Sequence, residues 1–196
     1  MRSLTPFIIV LMFGCVGCQK PKPPTPPTPV TTKERLFRAY PSSHETTACT
    51  PFLEKIQPTL LILKDNKLAS FPKPKKCPRF VLLYFSASWC PPCHLFTPKL
   101  KAWYLRSHAK FPDLEVVLAS LDRDWAPMEQ YVHQTGMPWP ILAWPNVMDS
   151  PVEKLLPEEI PYLVLVDDEG MVLMAARGMP TTLDLVEKIL KVEEVK

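Results

Sequence analysis

Two cysteines separated by two residues, Cys90 and Cys93, are the side chains of this sequence best suited to chemistry. They can close a small disulfide if they occupy the first turn of a helix, and Pro92 suits that turn because its missing N–H costs nothing there. The free N–H groups and dipole of a helix N-terminus stabilise negative charge, which lowers the pKa of a thiol and populates the nucleophilic thiolate. The pair therefore indicates redox chemistry, with Cys90 at the exposed start of the helix and Cys93 one turn further in and more buried.

The same thiols could instead bind zinc or copper, but such a site needs two more soft ligands at a workable spacing. Cys49 and Cys77 are isolated in the sequence, and the 4 histidines form no pair separated by three to five residues. We therefore predict no metal site and no cofactor. A protonated His94 could favour the thiolate of Cys90, although a solvated surface histidine is the commoner case.

The elements that must position the pair alternate between strand and helix. The run of aromatic and aliphatic residues at 80–85 predicts a buried strand just before the cysteines, and Phe96, Leu100 and Trp103 share one face of the following helix. Similar patterns predict strands at 60–64, 115–120, 162–166 and 171–175, and helices at 126–134 and near the C-terminus. This order predicts an α/β fold, with a mixed central sheet and helices on both faces.

Length and composition exclude several classes of protein. The chain has 196 residues, of which 46% are apolar, so it can bury a real core and is not disordered throughout. Its 23 basic and 20 acidic residues give a net charge of +3, which excludes a dedicated nucleic-acid binder by composition. No apolar run approaches the length of a membrane-spanning helix.

The first 18 residues resemble a bacterial lipoprotein signal, in which an acylated cysteine becomes the new N-terminus. Arg2 precedes an apolar run at 4–13, and small residues and two cysteines follow. Cys18 fits the lipid site better than Cys15, because small or medium side chains precede it. The resemblance implies a signal peptide over residues 1–17 and lipid on Cys18, and an uncleaved hydrophobic anchor is the alternative.

A proline-rich segment follows, with six prolines between Pro21 and Pro29. Such a stretch favours polyproline II and makes residues 18–32 a semi-rigid tether, with an SH3-type ligand as the alternative. Residues 33–56 are assigned to an N-terminal extension and residues 57–196 to the folded domain. Removal of the signal and acylation of Cys18 leave an even number of thiols, as expected in an oxidising compartment. Cys49 and Cys77 then form either a structural disulfide or two unrelated thiols.

The segment YFSASWCPPC at 84–93 resembles the thioredoxin superfamily, and within it the tryparedoxin and nucleoredoxin branch. Four residues of the following helix continue the match: Phe96, Thr97, Pro98 and Leu100. Three later segments fit the same branch in the same order: SLDRD at 120–124, Met137 to Trp139, and IPYL at 160–163 leading to DEG at 168–170. The resemblance covers about residues 60–191 and implies a thioredoxin-like three-layer sandwich.

The resemblance also implies roles for individual residues. Cys90 would attack a partner disulfide, and Cys93 would resolve the mixed disulfide. Pro161 matches the cis-proline that faces the pair, which would expose the Ile160 backbone for strand-like pairing with a substrate peptide. Trp89 would shield the thiols on one side. Independently of the resemblance, Trp139 is expected to pack in the core or at its rim, with a place in a substrate groove as the alternative.

Two departures from the superfamily pattern bear on the chemistry. Tyr84 stands where thioredoxins proper place a buried aspartate that accepts a proton from the resolving thiol. Glu158 and Glu159 precede Ile160, where the superfamily often has glycine. Carboxylates near Cys90 would oppose ionisation of its thiol and raise its pKa, which would make the pair a reductant.

The sequence thus predicts a membrane-tethered thiol–disulfide reductase on the periplasmic side of a bacterial cell envelope. Its expected partners are disulfide-containing exported proteins, a membrane electron donor and the membrane itself through the lipid anchor, but no nucleic acid. An envelope disulfide oxidase or isomerase would use the same residues. A binding lipoprotein of the same fold, with an inert Cys90–Cys93 disulfide, is a third hypothesis.

Overall fold

The computed structural model describes residues 51–194. The strands are β1 Leu61–Lys64, β2 Lys67–Ser70, β3 Phe80–Ser86, β4 Leu114–Ser120, β5 Ile141–Leu142, β6 Tyr162–Val166 and β7 Val172–Arg177. The α-helices are α1 Pro51–Ile56, α2 Pro91–Ser107, α3 Trp125–Thr135, α4 Trp144–Met148 and α5 Pro180–Glu194. Two 3₁₀ helices cover Gln57–Thr59 and Pro151–Leu155.

The seven strands form one mixed sheet in the order β2-β1-β5-β4-β3-β6-β7. The central strand β3 pairs in parallel with β4, from Phe80↔Leu114 to Ser86↔Ser120, and antiparallel with β6. The outer pairs β1–β2 and β6–β7 are antiparallel. The predicted mixed sheet is therefore confirmed, and its centre is the strand that leads directly to the cysteine pair.

Helices cover both faces of the sheet, so β3 is buried on both sides. Phe80, Leu82 and Tyr84 point to a core shared with α2, α3 and α5, whereas the alternate residues Val81, Leu83 and Phe85 point to a second core. The second core is closed by α1, α4 and the 3₁₀ helix at 151–155. This arrangement confirms the predicted α/β class with helices on both faces.

Helix α1 lies within the segment that sequence patterns assign to the N-terminal extension, yet it is part of the folded unit. Phe52, Leu53 and Ile56 are buried in the second core. The Phe52 N–H also donates to the Asp168 carbonyl at 3.1 Å, which ties the helix to the β6–β7 turn. Periodicity did not reveal this helix or β5, because elements of 6 and 2 residues are too short to show a repeating pattern.

Within residues 51–194, no helix combines the length and apolar character needed to cross a membrane.

Candidate active site

The cysteine pair lies at one edge of the sheet, where three loops meet. The carboxyl ends of the parallel strands β3 and β4 lie beside the amino end of β6, because β6 runs antiparallel to β3. Residues 87–90 follow β3, Leu121 and Asp122 follow β4, and Ile160 and Pro161 precede β6. Sheet topology therefore brings together three segments that are far apart in the sequence.

Cys90 and Cys93 form a disulfide with a Cα–Cα distance of 5.3 Å. Cys90 is the N-cap of α2, a helix of 17 residues, and its Sγ accepts a hydrogen bond from the Cys93 N–H at 3.2 Å. The predicted position at a helix N-terminus is thus observed, with Pro91 and Pro92 opening the first turn. A thiolate on Cys90 would be stabilised by this N–H and by the positive end of the helix dipole.

The predicted exposure of Cys90 is wrong. Cys90 is 3% exposed and Cys93 is fully buried, so both cysteines are largely enclosed. Ala87, Leu121 and Ile160 pack against the pair. The last two come from the loops after β4 and before β6, and nothing in the local sequence around Cys90 reveals that they close over it.

Ile160 lies directly against the pair, and Pro161 follows it in the chain. Their peptide bond is cis, as the resemblance implied, and Cys90 Sγ lies 3.7 Å from the Ile160 carbonyl oxygen. The Pro161 carbonyl accepts a hydrogen bond from the Gly178 N–H at 2.8 Å. A Cβ on Gly178 would stand 2.9 Å from the Phe96 ring and 3.0 Å from Pro161, so only glycine fits between them.

The sequence predicts that the glutamates before Ile160 act on Cys90, but Glu159 has a different partner. Glu159 forms an exposed two-pronged ion pair with Arg177, at the end of β7. The hydrogen bond from Arg177 holds the pKa of Glu159 below its usual range. This compensated charge gives little support to the prediction that carboxylates oppose ionisation of Cys90. Glu158 is exposed on the same loop.

Four hydroxyl groups form a buried network behind Cys93. Thr97 Oγ1 donates to the Cys93 carbonyl at 2.9 Å and lies 2.8 Å from the Tyr84 hydroxyl and 2.6 Å from the Tyr131 hydroxyl. Since the one hydrogen of Thr97 goes to the Cys93 carbonyl, its oxygen can accept from the two tyrosines. The Tyr84 hydroxyl can also donate to the Cys93 carbonyl, 3.4 Å away, and Ser86 Oγ lies 3.0 Å from the Tyr131 hydroxyl. The network ends on the backbone of the second cysteine.

Tyr84 replaces a carboxylate with a neutral group in this network. Burial raises the pKa of Tyr84, and the neighbouring Tyr131 adds to the effect, so the phenol stays protonated at physiological pH. The sequence indicates Tyr84 as a departure from the superfamily pattern, but it shows Thr97 only as part of the motif. Ser86 and Tyr131 were missed as site residues, because a single hydroxyl carries no sequence signal until its partners are known.

Comparison with known proteins supports the fold. The family described as Thioredoxin-like matches residues 78–172. The solved structure of tryparedoxin II from C. fasciculata is 30% identical, with a TM-score of 0.52, over 69% of this chain and 90% of that chain. The folded part of this chain is a thioredoxin-like domain. Its Cys90–Cys93 pair makes it a thioredoxin-like oxidoreductase domain.

Curated relatives agree with the tryparedoxin and nucleoredoxin resemblance. Tryparedoxin of Trypanosoma brucei brucei is 41% identical over 98 residues, which are 47% of this chain and 65% of that protein. Probable nucleoredoxin 1 of Arabidopsis thaliana is 44% identical over 59 residues, which are 30% of this chain and 10% of that protein. The chain thus spans less than two thirds of either relative.

The tryptophans of the thioredoxin-like domain have different environments. Trp89 is 64% exposed beside the pair, so it is available to a partner more than it is packed over the thiols. The predicted core packing of Trp139 is confirmed and its alternative place in a substrate groove is not, because Trp139 is fully buried and packs edge-on against Tyr84 and Tyr104. Trp139 supports the site from the core.

Asp122 and His94 both contact Ser88, two residues before Cys90. The Asp122 carboxylate is buried and accepts hydrogen bonds from the backbone and the hydroxyl of Ser88. His94 is exposed, and its Nε2 lies 2.6 Å from the Ser88 carbonyl oxygen. The sequence indicated Asp122 only as part of SLDRD, and it gave no sign that this carboxylate reaches the loop before the cysteines.

Two of the predicted site residues cannot be placed. Cys18 and Cys49 lie outside the described residues, as do the signal peptide and the tether. Cys77 is half-buried at the border of the second core. The Cys49–Cys77 disulfide therefore stays a prediction.

Proposed function

We propose that this chain is a membrane-tethered thiol–disulfide reductase of the bacterial cell envelope, which reduces disulfides of exported proteins. The observation that carries the proposal is the Cys90–Cys93 disulfide at the N-terminus of α2. A disulfide at this position can cycle with a dithiol, because the helix N-terminus stabilises the thiolate that starts the exchange.

The reaction begins with the reduced pair. The Cys90 thiolate attacks one sulfur of a partner disulfide, a mixed disulfide forms, and the other partner sulfur leaves as a thiolate that takes up a proton. Cys93 then loses its proton and attacks Cys90 Sγ, which releases the second partner thiol. The partner gains two electrons and two protons, and the Cys90–Cys93 disulfide closes. A dithiol donor at the membrane must reduce it again.

Ile160, Pro161 and Trp89 bind the partner in this proposal. The Ile160 carbonyl lies 3.7 Å from Cys90 Sγ, so a peptide that pairs with the Ile160 backbone brings its own disulfide close to the attacking sulfur. Trp89 is exposed beside the pair and offers an apolar contact to the same peptide. Because both cysteines are largely buried, a partner must dock with its disulfide in close contact with Cys90 before exchange can occur.

The contacts of Cys90 favour reduction as the direction. Strong oxidants of this kind are oxidising because their reduced form is strongly stabilised. Within residues 51–194, Cys90 Sγ has one N–H donor, from Cys93, and one carbonyl neighbour, from Ile160. The carbonyl can accept from a protonated thiol but does not stabilise a thiolate. The thiolate is therefore stabilised only moderately, which suits an electron donor better than an oxidase.

The first 32 residues supply the location in this proposal. The signal-like segment and Cys18 are typical of a lipid-anchored envelope protein, and the prolines from Pro21 to Pro29 suit a tether. Such a tether would hold the domain near a membrane electron donor while leaving the cysteine edge free to meet exported proteins.

The deciding experiment is the equilibrium reduction potential of Cys90–Cys93 in the full chain, titrated against glutathione and dithiothreitol couples. A value at or below about −220 mV, near thioredoxins and glutaredoxins, supports the reductase. A value towards about −120 mV identifies an oxidase and overturns the proposed direction. A disulfide that never exchanges leaves the inert binding lipoprotein.

Cysteine variants test the roles within the pair. Cys90→Ser is expected to abolish reduction of insulin disulfides, whereas Cys93→Ser is expected to trap a mixed disulfide with partner proteins. Reduction by the Cys90→Ser protein would contradict the assignment of Cys90 as the attacking thiol. The trapped partners of the Cys93→Ser protein identify the substrates.

A further inference from the structure

We propose that Asp122 is a positioning residue for thiol–disulfide exchange, holding Ser88 and thereby the Trp89–Cys90 segment in its reactive arrangement. The inference rests on the proposed function and adds to it a residue that does not contact the reacting sulfurs. It follows from the hydrogen bonds around Ser88 and from the burial of Asp122.

The Asp122 carboxylate accepts hydrogen bonds mainly from the loop before the cysteines. Asp122 is 4% exposed, just beyond the end of β4. Its two oxygens each lie 3.0 Å from the Ser88 N–H, and Oδ1 also accepts from the Ser88 hydroxyl at 2.6 Å. Oδ2 accepts from the Ser120 hydroxyl at 3.1 Å, and that hydroxyl in turn accepts from the Asp122 N–H.

Burying a carboxylate costs free energy unless hydrogen bonds satisfy its oxygens, so the buried position of Asp122 depends on the donors around it. Most of the donors to Asp122 belong to Ser88, on a different loop 34 positions earlier in the chain. Asp122 therefore links the end of β4 to the loop that follows β3. Neither a solvated turn nor a helix cap accounts for a carboxylate placed in this way.

His94 contacts the remaining polar group of Ser88, which is its carbonyl. The Ser88 carbonyl oxygen lies 2.6 Å from His94 Nε2. A carbonyl has no hydrogen, so the ring nitrogen must carry it and donate. The His94 ring also lies against the Tyr131 ring, with 4.7 Å between centroids. The N–H and hydroxyl of Ser88 are thus held by Asp122, just after β4, and its carbonyl is held by His94 on α2.

The hydrogen bonds of Ser88 with Asp122 and His94 constrain the position of the attacking sulfur. Only Trp89 separates Ser88 from Cys90, so the fixed Ser88 peptide limits where Trp89 and Cys90 Sγ can lie relative to the Ile160 carbonyl. Exchange requires the attacking sulfur to line up with the partner disulfide, and small misplacements cost large factors in rate. Asp122 therefore acts on exchange through Ser88 without touching the partner.

A purely electrostatic role for Asp122 predicts the opposite sign. A carboxylate near a thiol disfavours the thiolate, so removing its charge would speed every reaction of Cys90. A positioning role predicts slower exchange with a protein disulfide, while alkylation by a small reagent, which needs little alignment, changes much less. The two readouts together separate positioning from charge and from general damage to the fold.

The test compares the full chain with its Asp122→Asn, Ser88→Ala and doubly substituted variants, all reduced beforehand. The rate of oxidation by insulin disulfides measures exchange, iodoacetamide alkylation of Cys90 measures thiolate reactivity, and thermal unfolding checks the fold. The control is Asp124→Asn, which removes an exposed carboxylate two residues away whose side chain makes no capping hydrogen bond.

We expect Asp122→Asn to slow oxidation of the chain by insulin disulfides by about tenfold or more and alkylation of Cys90 by less than about threefold. Ser88→Ala loses only the hydroxyl contact and should slow exchange by about threefold. The double variant should be no slower than Asp122→Asn, because both changes remove the same contact. Asp124→Asn should match the unsubstituted chain.

Several outcomes would overturn the inference. Unchanged exchange in Asp122→Asn, or faster exchange with faster alkylation, excludes positioning. Effects that multiply in the double variant show that Asp122 does not act through Ser88. If Asp122→Asn does not fold, Ser88→Ala decides: slower exchange at an unchanged unfolding temperature supports the inference, and unchanged exchange overturns it. An unsubstituted chain that fails to reduce insulin contradicts the proposed function itself, and the inference with it.

Discussion

Thr97 connects the second cysteine to the core through a single hydroxyl. It donates to the Cys93 carbonyl and lies within hydrogen-bond distance of the Tyr84 and Tyr131 hydroxyls, so removing it takes one partner from each of two buried phenols. A buried polar group that loses its partner costs free energy, whereas an exposed one recovers a bond from water.

We therefore expect Thr97→Val, which keeps the shape of the side chain, to lower the free energy of unfolding by about 1–3 kcal/mol. Urea denaturation of the oxidised chain measures the change. Thr181→Val is the matched control, because Thr181 is exposed at the start of α5. Equal stability of the two variants would show that the hydroxyl network contributes nothing.

Gly178 is the second residue whose size decides the geometry of the site. A Cβ there would press on Phe96 and Pro161, which lie on either side of the glycine. Gly178→Ala is expected to destabilise the domain by about 1–3 kcal/mol and to slow reduction of insulin, because Pro161 must move.

Gly136→Ala provides the control for this substitution. Gly136 has a φ of +56° at the end of α3, and its nearest neighbour would be the flexible end of Lys101. Alanine there should cost about 1 kcal/mol from backbone strain and leave the exchange rate unchanged. If both glycine variants slow exchange alike, crowding at Pro161 is not the cause.

At the scale of the elements, α2 is fixed to its neighbours by polar contacts at its far end. Trp103 and Ser107 donate to Glu187 on α5, at 2.9 Å and 3.2 Å. Tyr104 donates to Glu115 on β4 at 3.0 Å. The helix that carries the cysteines at its N-terminus is therefore held by carboxylates near its C-terminus.

The contact between Tyr104 and Glu115 depends on pH. Burial raises the pKa of Glu115 to about 7, although hydrogen bonds from Val116 and Tyr104 oppose the shift. A raised pKa means that the folded chain binds the proton more tightly than the unfolded chain does. The stability from this group is thus fully present below about pH 4.5 and is lost as the pH rises through about 7.

Glu115→Gln should remove this loss, because the amide cannot ionise and still accepts from Tyr104. We expect it to raise the free energy of unfolding by about 1–3 kcal/mol at pH 8 and to change it little at pH 4. Urea denaturation at both pH values measures this. Glu54→Gln, an exposed carboxylate on α1, serves as the control. Equal effects of Glu115→Gln at pH 4 and pH 8 would contradict the assignment.

At the scale of the whole molecule, we propose that the segment before the folded domain decides where the redox chemistry takes place. The prediction from the sequence is lipid on Cys18, with Cys15 removed in the signal peptide. In a bacterial host, we expect the full chain to fractionate with membranes and to be labelled by a fatty acid.

Cys18→Ser should move the protein to the soluble fraction and abolish the labelling, while its insulin reduction is kept. Cys15→Ser should remain membrane-bound and labelled. Release by Cys15→Ser would instead place the lipid on Cys15, and retention of both variants would favour an uncleaved hydrophobic anchor.

The sequence by itself determined the features that depend on neighbours along the chain. The buried strand before the cysteines, the helix N-terminus at Cys90 and the order of strands and helices all follow from local periodicity and turn residues. Asp65 and Asn66 show the same, since both take the positive φ expected of turn-forming residues. Local backbone preferences act before the fold closes, and so they can be seen in the sequence.

Only the tertiary structure decided how the site is enclosed and supported. Leu121 and Ile160 close over a cysteine that local reasoning left exposed, and Trp139 lies in the core rather than in a groove. Asp122 reaches Ser88 across 34 positions, and Tyr131 reaches Thr97 across the same separation. Contacts between such distant residues exist because the sheet brings β3, β4 and β6 side by side, and no local pattern encodes which side chains then meet.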